Sequence, residues 1–285
     1  MIVKAYGKLN LVLNVKPKQG DETYHEIESL MIPISLHDCI EITRLKEGGN
    51  TYVTCDSFEL AGEQFNIVTK VIQLLRQKYG FKDQFRVVIY KRIFISGGLG
   101  GGSSDAAAVI VAINKLMKLK MTLEEMVEIG KQVGSDVPFF LYNKPAIVTG
   151  RGEIIEPINS LNKKYFVLLM RPKKGLSTND TYKKYDEMKL TSKNADINKV
   201  IEAYNTDEFT LGAAISNDLE TPAFELAPEI KELKDKLIQE EGMGCVMMSG
   251  AGSTVFIIST NKRQLYKIYE KYYKTDYKIE FCKTY

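Results

Sequence analysis

Five of the six residues from Gly97 to Gly102 are glycine, and Ser103 and Ser104 follow directly. Glycine lets a backbone take positive φ and lets a ligand come close. The two serines can cap a helix whose free N–H groups and positive dipole end face the loop. Such a segment is a cradle for an anion, most commonly phosphate. It differs from both common phosphate loops. A dinucleotide fingerprint begun at Gly98 would need glycine where Ser103 stands, and a P-loop begun at Gly97 would need lysine there. The charge of the phosphates must then be met by another lysine or by a metal. A flexible glycine turn ahead of a core helix is the plainer alternative; the length of the run and the helix behind it favour the cradle.

Two further residues could supply the chemistry. Lys8 lies between Gly7 and Leu9 in an apolar run, and Asp136 lies in Gly134-Ser135-Asp136-Val137-Pro138-Phe139-Phe140. Taken singly, Lys8 reads as a solvated strand lysine and Asp136 as a helix N-cap with Pro138 in the first turn. Taken with the cradle, they suffice for phosphoryl transfer to an alcohol. The aspartate accepts the hydroxyl proton, the lysine stabilises the forming alkoxide, and Mg²⁺ with the loop amides holds the triphosphate. Other chemistries lack their parts. There is no G-x-S-x-G elbow to go with His25 or His37, and no carboxylate pair stands out for glycoside work.

The elements that must position these residues follow from periodicity. Leu9, Leu11, Leu13 and Val15 alternate with Asn10, Val12, Asn14 and Lys16, a strand with one buried face. Ile32, Ile34 and Leu36 suggest a second strand, and Cys39 to Thr43 a third. A helix capped by Asn66 runs through Lys78 and ends at Gly80. Phe85 to Tyr90 alternates as a strand that feeds the glycine loop. Asp105 to Lys118 is helical and apolar on nearly every side, which places it in a core. Thr122 with Glu125 forms a capping box for a helix ending at Gly134. The turn-rich stretch from Pro145 to Pro157 marks a division. A second half then starts with a strand at Tyr165–Met170, followed by a helix from Pro228 to near Gly242. Strands at Val246–Met248 and Thr254–Ile258 come next, then a helix over Lys262–Tyr273 and a last strand, Tyr277–Phe281.

Composition limits the partners. The 285 residues are 44% apolar and 26% charged with a net charge of +3, which suits an anionic small molecule better than nucleic acid or a membrane surface. Acidic Glu270, Asp276 and Glu280 interrupt the Lys/Tyr-rich C-terminal run, so that run reads as a solvated helix face. Cys39, Cys55, Cys245 and Cys282 form no C-x-x-C pair, which argues against a metal site or a disulfide framework and for a reducing cytoplasm. No stretch approaches the roughly 18 apolar residues of a membrane span. Lys4 and Lys8 inside the N-terminal apolar run argue against a signal peptide. A cytoplasmic protein, a monomer or weak homodimer, is the expectation.

Nearly end to end, the chain resembles the GHMP small-molecule kinases. Ala5-Tyr6-Gly7-Lys8-Leu9-Asn10-Leu11 is similar to the first motif of that family, Ile95 to Ala107 to the second, and Met248-Ser249-Gly250-Ala251-Gly252-Ser253 to the third. Tyr24-His25, the Asp136 segment, Thr149-Gly150-Arg151-Gly152-Glu153 and Asn217-Asp218-Leu219-Glu220 resemble the branch that phosphorylates a cytidine-diphosphate-linked methylerythritol in isoprenoid synthesis. The resemblance implies a two-domain α/β (α+β) fold, residues 1–155 binding ATP and 156–285 forming the substrate domain, with the active site in the cleft between them. It implies Lys8 and Asp136 as the catalytic pair. Phe94, Ile95, Ser96, Gly97, Gly98, Leu99, Gly100, Gly101, Gly102, Ser103 and Ser104 would lie around the phosphates of ATP, whose Mg²⁺ Ser104 could reach. Asn10 would lie beside the substrate, Tyr24 and Tyr182 would cover the two faces of the cytosine, and His25 would read its edge.

The sequence departs from the family pattern at Thr23, Phe94, Gly98, Gly101 and Ala251; Thr23 bears on the backbone path near the cytidine and Phe94 on the entry to the loop. Two rival readings stay open: another GHMP kinase acting on a mevalonate- or homoserine-type alcohol, and a nucleotide-binding protein without catalysis.

Overall fold

The computed structural model describes residues 1–18, 20, 23–45, 49–57, 65–240, 242 and 244–285, with Phe65 and Asn66 by their backbone alone. The expected Asn66 cap therefore lies outside the described side chains, and so do Asp21 and Glu22. In chain order the elements of the first half are β1 (Ile2–Val15), β2 (Ile27–Leu45), β3 (Tyr52–Cys55), α1 (Phe65–Tyr79), β4 (Gln84–Tyr90), α2 (Gly101–Met117), α3 (Leu123–Val133), α4 (Val137–Tyr142), β5 (Ala146–Thr149) and β6 (Ile154–Pro157). There follow β7 (Phe166–Arg171), α5 (Thr178–Glu187), α6 (Ile197–Thr206), α7 (Glu208–Ala214), β8 (Ser216–Asn217), α8 (Glu220–Leu226), α9 (Pro228–Ile238), β9 (Cys245–Met248), β10 (Val255–Ser259), α10 (Lys262–Tyr272) and β11 (Lys278–Lys283).

Among the described residues the strands form two sheets. One is seven-stranded, in the order β3-β4-β2-β1-β8, with β5 paired to β2 and β6 to β5. The other is antiparallel, in the order β11-β7-β10-β9. The two regions read as separate strands at Ile32–Leu36 and Cys39–Thr43 are one long strand, β2, because its length pairs in turn with β1, β4 and β5. The short β8, from the second half, joins the first sheet beside β1.

The packing explains the apolar runs. Along β7, Val167 and Leu169 enter one core while Leu168 and Met170 enter another, and β10 divides Phe256 and Ile258 from Val255 and Ile257 in the same way. Both faces of this sheet are buried, so its strands read as continuous apolar segments rather than as alternation. Leu9 and Leu11 of β1 and Leu30, Ile32 and Ile34 of β2 meet Val167, Leu169, Met247 and Phe256 in the first of these cores, which joins the two halves. The other core packs α2 on the first sheet. In β1 the simple alternation fails. Register shifts fall between Tyr6 and Lys8 and between Asn10 and Val12. Val12 accordingly shares the core of Leu9 and Leu11, while Leu13 and Val15 turn to the helix-covered core. A bulge adds a residue and reverses which face the following side chains occupy.

Candidate active site

The two bulges isolate the short segment Lys8–Asn10 from the rest of β1. Leu9 goes into the inter-sheet core, and Lys8 and Asn10 line a cleft of about 1730 Å³. That exceeds the ~300–1,000 Å³ of a common single-ligand pocket and is room for two small molecules side by side. Lys8 is only 4% exposed, which excludes the solvated strand lysine. Its Nζ donates to Asn10 Oδ1 at 2.5 Å, Asn10 Nδ2 donates to Ser29 Oγ at 2.9 Å, and Ser29 Oγ donates to the Val12 carbonyl. This chain of hydrogen bonds fixes the ammonium group. Burial pushes the Lys8 pKa down, and the charge of Asp136 across the cleft pushes it up.

Asp136 occupies the N-cap position of α4, with proline at the start of the helix, but its side chain caps nothing. The carboxylate stays half-buried in the cleft. Gly152, at φ 116°, brings the Gly150–Gly152 turn against it: a Cβ on Gly152 would sit 3.2 Å from Asp136 Oδ1. Among the described residues Lys8 and Asp136 share no direct hydrogen bond, and they act on each other through space.

The glycine loop is held by backbone. Lys8 N donates to the Leu99 carbonyl at 3.1 Å, and Thr254 N donates to the Gly97 carbonyl at 3.3 Å. Ser249 Oγ donates to the Gly98 carbonyl at 3.1 Å. Gly98 has φ 73°, and a Cβ there would lie 2.0 Å from the Ser249 carbonyl oxygen. The loop thus needs glycine as much to let the 249–254 turn approach as to open its amides. The expected serine caps are a correction. Gly100, at φ 72°, is the N-cap of α2, and the helix begins at Gly101, so Ser103 and Ser104 stand within its first turns. Left-handed glycine at the cap puts the helix start inside the loop, where serine cannot hold that conformation cheaply.

Of the residues assigned to the phosphates, Ser96, Gly98, Gly100, Gly101, Gly102 and Ser103 line the cleft. Leu99 and Ser104 are buried, and Phe94 packs in the inter-sheet core with the Arg171 guanidinium 5.8 Å from its ring. Phe94 and Ile95 line a separate hollow of about 500 Å³ behind the loop, and Gly97 lines neither space. Behind the loop, Lys91 Nζ bridges Asp38 at 2.5 Å and Asp105 at 2.8 Å, all three almost fully buried. Burial pushes the Asp105 carboxyl up to about 7 against the pull of Lys91.

At the far end of the cleft stand Tyr24, His25 and Tyr182. Tyr24 is 59% exposed with the Arg151 guanidinium 5.3 Å from its ring. His25 is buried, its ring stacked on Tyr182 at 5.9 Å and edge-on to Tyr185 at 5.6 Å. Its Nδ1 meets the Lys16 carbonyl at 2.7 Å and its Nε2 meets Asp186 at 2.6 Å. Sequence reasoning did not single out Asp186, Lys18, or the scaffold roles of Asn217, Asp218 and Glu220. Asn217 donates to the Met248 and Gly250 carbonyls at 2.9 and 2.8 Å, Asp218 accepts from Val15 N at 2.9 Å, and Glu220 accepts from Met248 N at 3.0 Å. The N-D-L-E motif thereby ties the 248–250 turn to the end of β1.

Known proteins give the same outline. The profile described as GHMP kinases N terminal domain matches residues 66–144, and that described as GHMP kinases C terminal matches 200–278. A 4-diphosphocytidyl-2-C-methyl-D-erythritol kinase from Bacillus cytotoxicus is 36% identical over 270 residues, 94% of this chain and 91% of that protein. One from Thermoanaerobacter pseudethanolicus is 37% identical over 284 residues, 99% of this chain and 95% of the relative. A crystal structure of 4-(cytidine 5'-diphospho)-2C-methyl-D-erythritol kinase superposes with a TM-score of 0.82 at 26% identity, covering 100% of this chain and 99% of that one. A homoserine kinase from Cytophaga hutchinsonii, at a TM-score of 0.72 and 14% identity over 100% of this chain and 94% of that one, shares the fold.

Proposed function

The chain belongs to the GHMP kinases, in the family of its 4-diphosphocytidyl-2-C-methyl-D-erythritol kinase relatives, and on that premise we propose that it phosphorylates the 2-hydroxyl of 4-diphosphocytidyl-2-C-methyl-D-erythritol with ATP, as a cytoplasmic step of isoprenoid synthesis. The observation that carries the mechanism is a buried Lys8 and an Asp136 whose carboxylate makes no cap hydrogen bond, lining one cleft with the glycine loop. Asp136 accepts the proton of the substrate hydroxyl as its oxygen attacks the γ-phosphorus. The new O–P bond forms, the bond from the γ-phosphorus to the bridging oxygen breaks, and ADP leaves with the electron pair. Lys8, held by Asn10, stabilises the oxygen while its charge grows. The amides of the loop and the start of α2 hold the phosphates.

Among the described residues no three His, Cys, Asp or Glu groups gather as metal ligands. That fits Mg²⁺ arriving on the nucleotide, since this ion keeps several waters and few protein ligands. Ser103, which lines the cleft, is better placed than buried Ser104 to offer it a hydroxyl. When bound, the ion neutralises phosphate charge. Tyr24 and Tyr182 supply the aromatic faces for the cytosine, a contact worth about 1–3 kcal/mol per stacked base.

The test is ADP release by the purified protein with ATP and Mg²⁺, comparing the cytidine substrate with mevalonate and homoserine. Release that needs the cytidine substrate, and that falls by on the order of 10²–10⁴ in Asp136→Asn with both ligands still bound, is expected. Release with mevalonate or homoserine instead would discard the cytidine pocket. Binding of ATP without release in any mixture would leave a nucleotide-binding protein.

A further inference from the structure

The glycine loop carries no cation of its own, since Ser103 stands where a P-loop has lysine. Loop amides and a helix dipole offer partial charges, whereas a triphosphate brings several full ones. A full positive charge has to come from elsewhere in the cleft. Among the described residues, the basic side chains that line it are Lys8, Lys18, Lys70, Lys131, Arg151 and Lys183. Most are engaged within the protein. Lys8 is held by Asn10, Lys18 by Asp186 at 2.6 Å and Lys131 by Glu128 at 2.6 Å, and the Arg151 guanidinium lies over the Tyr24 ring. Lys70 and Lys183 make no hydrogen bond or ion pair among the described residues.

Position separates these two. Lys183 follows Tyr182 on α5, at the far end of the cleft. Lys70 belongs to α1, and the chain path fixes which end of α1 faces the loop. β3 runs parallel to β4, and Asp56, just past β3, accepts from Lys91 N, just past β4, at 2.8 Å. The last turn of α1 lies at the opposite end of these strands. There Arg76 donates to Thr51, ahead of β3, and to Gln84, the first residue of β4, at 2.6 Å each. The first turns of α1 therefore lie toward the end of β4, from which the glycine loop issues, and α1 packs along α2. Val68, Val71, Ile72 and Leu75 bury one face of α1. Ile67 and Lys70, one turn apart, share another and line the cleft. We propose that Lys70 supplies the counter-charge for the phosphate chain of ATP, its ammonium group donating to a phosphate oxygen near the start of α2. A P-loop carries this lysine within its own sequence; here a neighbouring helix brings it, and Lys8 is left for the reacting oxygen. The proposal rests on the ATP reading above.

The experiment is calorimetric titration of the whole protein, Lys70→Gln, Lys70→Arg and Lys183→Gln with ATP and with adenosine, at low and high salt. Lys70→Gln is expected to raise the ATP Kd about tenfold, as for the loss of one charge-assisted hydrogen bond. It should also weaken the dependence of that Kd on salt, and leave the adenosine Kd and the thermal midpoint in place. Lys70→Arg keeps the charge and should keep most of the affinity for ATP. Lys183→Gln should bind ATP as wild type does. An unaltered ATP Kd in Lys70→Gln would mean that the side chain does not reach the phosphates. Equal losses for ATP and adenosine would mean that it acts through the packing of α1. Either result overturns the proposal while the ATP reading stands. A wild type that binds ATP no better than adenosine overturns the phosphate cradle, and this assignment with it.

Discussion

The two ends of the cleft are built by different means. At the proposed phosphate end the halves of the protein meet largely through main chain: Thr254 N donates to the Gly97 carbonyl and Leu176 N to the Ser96 carbonyl at 3.2 Å, with the Ser249 hydroxyl adding one side-chain bond to the Gly98 carbonyl. At the base end they meet through charged side chains, with Asp186 of the second half gripping Lys18 and His25 of the first. At Gly98 the close neighbour is the Ser249 carbonyl, so an added Cβ has no side chain to push aside. Exposed charged pairs are weak one by one and adapt to substitution. The end proposed to hold the nucleotide phosphates is packed against backbone, and the end proposed to take the base is held by side chains.

The largest effect expected from this contrast is at Gly98. Gly98→Ala puts a Cβ against the Ser249 carbonyl in a left-handed conformation, and should destabilise by about 2 kcal/mol or more. A lowered thermal midpoint with a raised ATP KM would bear this out, and a variant with wild-type values for both would break the comparison. At the other end, His25→Gln should raise the KM of the cytidine substrate about tenfold while the ATP KM stays put; equal rises would join the two ends into one unit. Thr23→Gly, at an exposed position, should alter either KM by less than about twofold, as expected of surface substitutions within ~0.5 kcal/mol.

A last expected effect concerns pH and the buried ion cluster behind the glycine loop. The Asp105 carboxyl sits at about 7 in the folded protein because burial outweighs Lys91, against about 3.9 unfolded. The native state therefore holds the proton more tightly. Its stabilising contribution is complete below about pH 4 and is lost as pH rises through 7. Asp105→Asn should flatten the fall in thermal midpoint between pH 5 and 8 relative to wild type, and identical slopes would remove Asp105 from that support.

Much of this was legible because it is local. The capping box is formed as the spacing of Thr122 and Glu125 requires, with Glu125 N donating to Thr122 Oγ1 and Thr122 N to the Glu125 carboxylate. The strand feeding the glycine loop and the paired strands of the second half stand where periodicity puts them, and the apolar helix does so apart from its start, four residues earlier than the apolar run indicates. The region from Thr178 to Leu226 was hardly legible. Its helices are short, and α5 is mostly polar, burying only Thr181 and Tyr185 among its ten residues. The work of Asn217, Asp218 and Glu220 lies in partners up to 203 positions away in the chain.

The sequence by itself determined the glycine-rich loop ahead of a core helix, the residue types of the proposed catalytic pair and the mixed α/β class, because glycine conformation and hydropathy period act over a few residues. Tertiary structure decided the rest. Paired strands placed the bulges that turn Lys8 and Asn10 into the cleft, and contact between the halves made Gly98 obligatory. Contact between the halves also bound both nitrogens of His25 within the protein. Each of these depends on atoms brought together from distant parts of the chain, and local pattern carries no record of them.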